Sequence, residues 1–347
     1  MNGDRPVTII DVAKAAGVSR ATAARALGGY GYVSERASKA VMEAAEKLNY
    51  RPNELARSMI TGRTNTIGLV VADIRNPFFA GIAHAVDETL ETYGYTFIVC
   101  STSESLDREQ KALELLSRRQ VDGIILAPTS SNVGEHIASI AQKLPIVLID
   151  RVVEGLRLDA VAVNNQEAAA EAVRRLIQAG HRQIGFLGGP SWLSSIRERY
   201  AGYTQALAEA GLKLDDRLIR WGSYSTEEGL YQALSLLKQK DRPTAVFTGY
   251  NELASSILMA CRELAIRIPQ DLSLVCFDHQ EWLDFLTPPI SSIAQPVGEL
   301  GRVAAERLLS RINGDASPVE TVRLPVTFCD RESIWPMAPA GEQLMAT

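Results

Sequence analysis

From residue 66 onward, short apolar runs alternate with longer stretches in which apolar residues recur at helical spacing. The apolar runs are TIGLVVAD, YTFIVCST, DGIILAP and PIVLID, and the helical stretches cover residues 77–93, 107–119 and 133–143. Strands that alternate with helices are typical of a parallel sheet covered by helices. The pattern therefore predicts an α/β lobe of the doubly wound kind.

The same alternation then begins again. The second series of apolar runs is AVAVNN, QIGFLGG, RLIRWGS, TAVFTG and LSLVCFD, with helices expected over 166–179, 197–210, 226–239 and 251–264. We therefore expect an α/β core of two doubly wound lobes. Open parallel sheets bind ligands at the carboxyl ends of their strands, so polar residues at those ends are candidates for a binding site.

Three short helical patterns precede the core. Thr8 and Asp11 form a capping box at the start of TIIDVAKAAG, Gly17 ends that helix, Ser19 caps RATAARAL, and Ser34 caps ERASKAVMEAAEKL. Two short helices across a glycine turn, supported by a third, predict an all-α helix-turn-helix domain at the N-terminus. In that motif the second helix enters the major groove of DNA.

Charge is unevenly divided along the 347 residues. Residues 1–63 hold ten Lys and Arg against six Asp and Glu, a net charge of +4, and the remaining residues hold 26 against 35, a net charge of −9. A basic segment of an acidic protein indicates an anionic partner for that segment, although a solvated helical face gives the same count.

Composition excludes several classes of protein. Hydrophobic residues at 46% and charged residues at 22% are typical of globular proteins. The four cysteines form no C-x-x-C pair, so we expect no disulfide framework, no metal site and no cofactor. No apolar run approaches the ~18 residues that cross a bilayer, and the N-terminus lacks the order of a signal peptide, so we expect a cytoplasmic protein with no membrane partner.

The second helix of the head carries two arginines, Arg20 and Arg25, while Ala24 and Leu27 can face the other two helices. Arginine reads guanine O6 and N7 in a bidentate manner, and a good pair contributes about 1–3 kcal/mol of discrimination between bases. Taken alone, such a short stretch favours an amphipathic helix with solvated arginines, because short motifs have many false positives.

Four stretches of the chain carry a resemblance to a known family. They are TIIDVAKAAGVSRATAARAL, YVSERASKAVMEAAEKLNYRPNELARSMITGRTNTIGLVV, NPFF and CDRESI, within a match from residue 7 to 333. They resemble the LacI/GalR (lactose/galactose repressor) family of bacterial transcription regulators, whose core is similar to periplasmic sugar-binding proteins. The resemblance implies a repressor that binds a palindromic operator as a homodimer under the control of a small sugar or sugar-acid effector.

The resemblance also implies the division of the chain. It places a helix-turn-helix domain at 1–52, a hinge helix and linker at 53–63, an effector-binding and dimerisation core at 64–335, and a tail at 336–347. Within the core, the N-lobe comprises 64–162 and about 293–323, and the C-lobe comprises 163–292 and about 324–335. The tail has no leucine heptads for a tetramerising coiled coil, which favours a dimer.

By position, the resemblance implies a set of DNA-binding residues. Met59 takes the place of the family's leucine wedge, which kinks a minor-groove step. Ala23, Ala24 and Gly28 depart from the family's usual Val-Ser pair and Asn, which implies fewer contacts with DNA. The implied set is Ser19, Arg20, Ala21, Thr22, Arg25, Tyr32, Asn53, Ala56 and Met59.

Candidate effector contacts follow the predicted strand ends. Arg199 and Asp278 coincide with the family's effector-contacting arginine and aspartate, and Phe78 and Phe79 offer an aromatic face for the C–H groups of a sugar. Asp and Asn at strand ends also serve as helix caps and turn residues, which is the alternative interpretation for about half of them. The other candidates are Asp73, Asp150, Arg151, Asn164, Asn165, Trp192, Ser195, Arg197, Tyr250, Asn251, His279 and Trp282.

Two other classes of function compete with a repressor. An enzyme is disfavoured because the chain lacks phosphate-binding, zinc-protease and nucleophile-elbow motifs, although His279 beside Asp278 is a possible general base. A free-standing solute-binding protein would need an export signal and no DNA-binding head. The identity of the effector, the operator, and the choice between inducer and corepressor stay open.

Overall fold

The computed structural model describes residues 7–28, 30–51, 62–222 and 225–337. The chain divides into a head unit, which reaches Thr66 and includes Gln120–Asp122, and a core unit that holds the remainder. The head contains α1 (Ile9–Ala15), α2 (Arg20–Gly28) and α3 (Glu35–Lys47).

The predicted caps begin all three head helices. The backbone N of Thr8 donates to Asp11 Oδ2 at 2.9 Å, which completes the capping box of α1. Ser19 Oγ accepts from the backbone N of Thr22 at 3.0 Å. Ser34 Oγ accepts from the backbone N of Ala37, in the first turn of α3, at 3.4 Å. These bonds satisfy amide groups that have no partner inside the helix, so the sequence signals for the head are confirmed.

A small apolar cluster holds the head together. Val12, Ala23 and Val41 are fully buried in it, and Leu27 packs against it. Ala23 takes the fully buried position of α2, and Leu27, four residues on, packs on the same side. Ala24, which was expected to face the other helices, is half-buried.

Two six-stranded sheets form the core. The first sheet has the order β2-β1-β3-β4-β5-β11, and the second has the order β7-β6-β8-β9-β10-β12. The strands of the first sheet are β1 (Thr66–Val71), β2 (Thr96–Ser101), β3 (Gly123–Leu126), β4 (Ile146–Ile149), β5 (Asp159–Val163) and β11 (Thr321–Leu324). Those of the second sheet are β6 (Ile184–Gly188), β7 (Ile219–Trp221), β8 (Ala245–Thr248), β9 (Ser273–Phe277), β10 (Ser291–Ala294) and β12 (Thr327–Cys329).

The central strands are parallel and buried on both faces. Neighbouring strands pair in parallel from β1 through β3, β4 and β5 to β11, and from β7 through β6, β8 and β9 to β10, while β12 pairs antiparallel with β10. Continuous runs of Val, Ile and Leu suit such strands because helices cover both sides. The helices are α4 (Pro77–Thr92), α5 (Leu106–Arg118), α6 (Glu135–Ala141), α7 (Asn165–Gln178), α8 (Ser194–Glu209), α9 (Thr226–Leu237), α10 (Asn251–Glu263) and α11 (Val297–Ile312).

The chain passes between the two sheets three times. It leaves the first sheet after β5, returns after β10, and crosses again between β11 and β12. Helix α11 then packs on α4 of the first lobe, while α7 packs on α8 of the second. The crossing segments are therefore short and lie near residues 164, 295 and 325.

Two local predictions differ from the structure. The alternating pattern places the run AVAVNN at the start of the second series. In the structure its strand, β5, belongs to the first sheet, because β4 and β11 pair with it on either side. The helix expected from residue 197 begins at Ser194, since its first turn is buried, with Ser194 at 5% and Ser195 at 3% exposure. Among the described residues, no helix is long and apolar enough to cross a membrane.

Candidate functional site

Helix α2 presents an exposed polar face in the head. Arg20, Ala21 and Arg25 are exposed, Thr22 is half-buried, and no acidic residue lies in the first turn of the helix. Ser19 Oγ lies 2.9 Å from Thr22 Oγ1, so these two hydroxyls bond to one another in addition to capping the helix. Within the described part of the chain neither Arg20 nor Arg25 is in an ion pair, and a positively charged face of this kind fits the phosphates and base edges of DNA.

Of the remaining predicted DNA contacts, the structure describes Tyr32 and leaves out three others. Tyr32 is 88% exposed, an unusual position for a large aromatic side chain that has no partner surface. Asn53, Ala56 and Met59 lie outside the described residues, so their role as a hinge helix and wedge stays a prediction.

The strand ends of the two core lobes surround a small cavity of about 30 Å³. Residues of the first lobe and of the second face one another across it, and Gln295 reaches it from a crossing segment. The lining residues are Asn76, Phe78, Phe79, Asp150, Arg151, Ser195, Ile196, Arg199, Tyr250, Asn251, Asp278 and Gln295. Nine of the predicted contacts are thus brought together here: Phe78, Phe79, Asp150, Arg151, Ser195, Arg199, Tyr250, Asn251 and Asp278.

Arg199 is a buried and closely held side chain of this cleft. Its Nε donates to Asn165 Oδ1 at 2.8 Å, and its Nη1 donates to the carbonyl of Gly249 at 2.7 Å. The guanidinium carbon lies 3.6 Å from the ring centroid of Phe277, and Nη1 lies 3.7 Å from Asp278 Oδ2. Buried at 3% exposure, the guanidinium has a fixed orientation before any ligand binds.

Asp150 and Asp278 occupy equivalent places in the two lobes. Asp150 follows β4, the fourth strand of the first sheet, and Asp278 follows β9, the fourth from the corresponding end of the second. Both have left-handed backbone conformations, with φ of 67° and 70°. Such conformations are uncommon for residues other than glycine and gather at functional sites.

Burial has the largest effect on the electrostatics of Asp150, and Asp278 is held by hydrogen bonds. Desolvation raises the pKa of Asp150, and the charges of Arg151 and Arg199 act in the opposite direction. Asp278 Oδ1 accepts from Gln295 Nε2 at 2.5 Å, and its Oδ2 accepts from the backbone N of Asn251 at 3.4 Å. The cleft therefore offers acceptor oxygens from both lobes to the hydroxyl groups of a ligand.

Arg151 is held by carboxylates on the side of the first lobe. Nη1 and Nη2 donate to the two oxygens of Glu104 at 2.9 and 2.8 Å, Nε donates to Asp150 Oδ2 at 3.1 Å, and Nη1 also donates to the carbonyl of Pro128. This bidentate geometry is the strongest form of arginine–carboxylate pairing.

Several hydrogen bonds join the two lobes around the cavity. The side-chain amides of Asn76 and Asn251 bond reciprocally, at 3.0 and 3.4 Å. On another side, Ser131 Oγ accepts from the backbone N of Ser194 at 2.7 Å, and Ser194 Oγ accepts from the backbone N of Val152 at 2.9 Å. These bonds join the two lobes directly, and the first of them comes from residues that line the cavity.

A polar network connects the cleft to the crossing segments. Glu198, next to Arg199 in sequence, forms a bidentate pair with Arg323 at 2.6 and 2.6 Å. Asn165, which accepts from Arg199, donates its amide to Glu198 Oε2 at 3.0 Å. Asn165 and Arg323 lie beside two of the crossing segments, so Arg199 is bonded through Asn165 to one of the places where the chain passes between the lobes.

Seven predicted contacts do not line the 30 Å³ cavity, and one of them, Asn165, instead accepts from Arg199 Nε. Asp73 pairs with Arg75 at 2.6 Å at the end of β1. Trp192 is 48% exposed, and Arg197 bonds to Glu154 at 2.6 Å and to Asn132 at 3.1 Å at the rim between the lobes. His279 bonds to Ser292 at 3.0 Å and, with Trp282, lines a neighbouring cavity of about 640 Å³. Asn164 forms the cap position of α7 without a side-chain cap bond.

Reasoning from the sequence missed several residues of the cleft. Asn76 caps α4 within NPFF, and Gln295 directly follows β10, so the strand-end rule that selected Asp278 could have selected Gln295 as well. Glu104 acts through Arg151, and no spacing in the sequence connects these two residues. No group of three or more His, Cys, Asp and Glu in the described part of the chain could hold a metal ion.

Comparisons with known proteins agree with both parts of this geometry. Residues 8–53 match the family of bacterial regulatory proteins, lacI family, and residues 173–334 match the periplasmic binding protein-like domain. The ribose operon repressor of Haemophilus influenzae is 36% identical over 328 residues, which are 94% of this chain and 98% of that protein.

Two solved structures are similar over almost the whole chain. The lac repressor dimer bound to operator and the anti-inducer ONPF has 25% identity and a TM-score of 0.83, covering 95% of this chain and 100% of that one. The transcriptional regulator CelR in complex with cellobiose has 29% identity and a TM-score of 0.72, with the same coverage. The predicted fold class, an all-α head with a two-lobed α/β core, is confirmed by these matches.

Proposed function

The chain belongs to the lacI family of bacterial regulatory proteins, as its sequence motifs indicated, and from this premise we propose that it is a dimeric, cytoplasmic repressor controlled by a small sugar or sugar acid. Its relatives are transcriptional repressors and not enzymes, so the enzyme alternative is set aside. A free-standing solute-binding protein has no need of a DNA-binding head, so that alternative does not account for residues 8–53.

The observation that carries the proposal is the exposed face of α2. Arg20 and Arg25 project from a three-helix head that is otherwise packed through Val12, Ala23 and Val41. A recognition helix of this kind reads about half of a two-fold symmetric site, so two copies of the chain bind a palindrome. Phosphate contacts by the basic head make the binding constant fall steeply as salt rises.

Control by a ligand rests on the cleft. Arg199, Asp278 and Asp150 place donors and acceptors from both lobes around one cavity. A ligand that binds the closed arrangement better than the open one shifts the population toward closure, and the differential binding energy sets the upper limit of the shift in operator affinity, about 1–3 kcal/mol in typical cases. The named relatives include a ribose operon repressor and a cellobiose complex, which supports a sugar as the effector.

Footprinting on DNA that flanks the chain's own gene tests the proposal. The wild-type protein should protect a palindromic site, and Arg20→Ala should relax the preference at one base pair in each half-site, at a cost of about 1–3 kcal/mol for each lost contact. Arg217→Ala removes an exposed core arginine paired with Asp215 at 2.7 Å and should bind like the wild type.

Two results would count against this assignment. Protection of a single asymmetric site by a monomer would exclude symmetric operator binding. An equal loss of affinity for all DNA sequences in Arg20→Ala would make Arg20 a phosphate contact without a role in base recognition.

A further inference from the structure

The cleft contains two arginines, and both are already compensated by carboxylates. Arg151 is held by Glu104 and Asp150, and Arg199 lies 3.7 Å from Asp278. Two guanidinium groups thus face three carboxyl groups. If Asp150 takes up a proton, as burial favours, the net charge of these five groups becomes zero. Each arginine still has a carboxylate beside it.

We infer that the Glu104–Arg151 pair makes this cleft selective for an uncharged polyhydroxy ligand and excludes sugar acids and sugar phosphates. The inference rests on the proposed function, since it names the charge of the ligand that would occupy the same cleft. An anionic group buried there would meet no uncompensated cation, and burying a charge without a partner is strongly unfavourable.

The hydrogen-bonding groups of the cleft favour the same class of ligand. Asp150 and Asp278 present acceptor oxygens, and Gln295 Oε1 is buried with no hydrogen-bond partner among the described residues. Hydroxyl groups can donate to all of these oxygens, whereas a carboxylate or phosphate group of a ligand would be repelled by them.

The backbone around Glu104 indicates that its position is maintained for a purpose. Ser103 and Glu104 have φ of 50° and 57°, and with Asp150 and Asp278 they are four of the eight described non-glycine residues with positive φ. The backbone N of Ser103 donates to the carbonyl of Ala72 at 2.7 Å, which fixes this turn at the end of β2. Such conformations cost free energy and persist where the surroundings enforce them, here at the two carboxyls of the cleft and at the counter-ion of Arg151.

The test compares matched pairs of neutral and anionic sugars on the full chain. The probes are D-ribose with D-ribonate and D-glucose with D-gluconate, each measured by thermal shift and by release or capture of operator DNA. In the wild type, at least one neutral probe should act, and its acid should act at least about tenfold more weakly.

Glu104→Gln then asks whether this residue sets the selectivity. The amide keeps an acceptor for Arg151 but removes the negative charge, so the ratio between neutral and acid probes should fall by about tenfold. Glu114→Gln is the matched control, because it removes the same charge from an exposed pair with Arg118 at 3.1 Å and should leave the ratio unchanged.

Each outcome decides between distinct alternatives. An acid that binds the wild type as well as its neutral partner, or an unchanged ratio in folded Glu104→Gln, overturns the charge selectivity while the repressor function stands. Operator binding that responds to no probe in either protein overturns sugar control and the selectivity with it. If Glu104→Gln does not fold, the wild-type comparison of each neutral probe with its acid still decides the point.

Discussion

Gly202 allows helix α8 to approach helix α7 closely, and α8 carries Arg199 one turn before it. A Cβ atom added at Gly202 would lie 2.0 Å from the carbonyl oxygen of Gln166 and 2.8 Å from the backbone N of Ala170. Both atoms belong to the backbone of α7, so no side-chain rotation relieves the clash. In Gly202→Ala, the two helices must move apart.

The size of the effect follows from two opposing contributions. Forcing a methyl group into a packed interior typically costs about 1–3 kcal/mol, and alanine regains up to about 1 kcal/mol over glycine within a helix. We expect net destabilisation of about 1–2 kcal/mol, which corresponds to a decrease in Tm of about 2–6 °C for a lobe of this size.

Thermal unfolding at equal protein concentration, followed by tryptophan fluorescence, measures this change. Gly298→Ala is the matched control, since an added Cβ atom there meets nothing within 4 Å, and its Tm should be equal to or slightly above that of the wild type. Effector affinity should also fall in Gly202→Ala, because Arg199 belongs to α8 and moves with the helix when it is pushed away from α7. Wild-type stability in Gly202→Ala would refute the idea that α7 and α8 are held at backbone contact.

Two further predictions concern ligand and DNA binding. Arg199→Ala and Asp278→Asn should each abolish the effector response and retain operator binding without effector, because both groups face the cleft. Arg217→Ala and Asp215→Asn, at an exposed pair, are the controls. Unchanged effector affinity of Arg199→Ala and Asp278→Asn, measured by calorimetry, would contradict the assignment. Met59→Ala, outside the described residues, should weaken specific operator binding and reduce DNA bending with effector affinity unchanged, since a wedge acts only in the kinked complex; bending equal to that of the wild type in a gel assay would contradict it.

Local signals were sufficient to predict the head and most core elements. The caps at Thr8, Ser19 and Ser34 act within three residues of their partners, so the sequence contains both sides of each interaction. Periodicity also separated strands from helices in the core. It could not assign β5 to a sheet, because strand pairing is decided by partners such as β11, more than 150 residues along the chain.

The polar residues at strand ends were predicted from a general rule, and that rule does not distinguish ligand contacts from turns. Asp73 and Asp278 both follow buried strands, yet Asp73 is neutralised locally by Arg75 while Asp278 faces Arg199 across the end of the sheet. The difference lies in the neighbouring side chains and not in the position along the strand. A sequence without its fold therefore identifies the edge of the cleft more readily than its contacts.

Sequence patterns could not predict whether the cleft selects a neutral or a charged ligand. Arg199 by itself is compatible with neutral and acidic sugars, and the resemblance to a repressor family leaves that choice open. What decides it is whether a cation in the cleft lacks a counter-ion, and the counter-ion of Arg151 is Glu104, 47 positions away at the end of another strand. Because a compensated guanidinium attracts an anion far less than an uncompensated one, the ligand's charge is set by residues that need not touch the ligand.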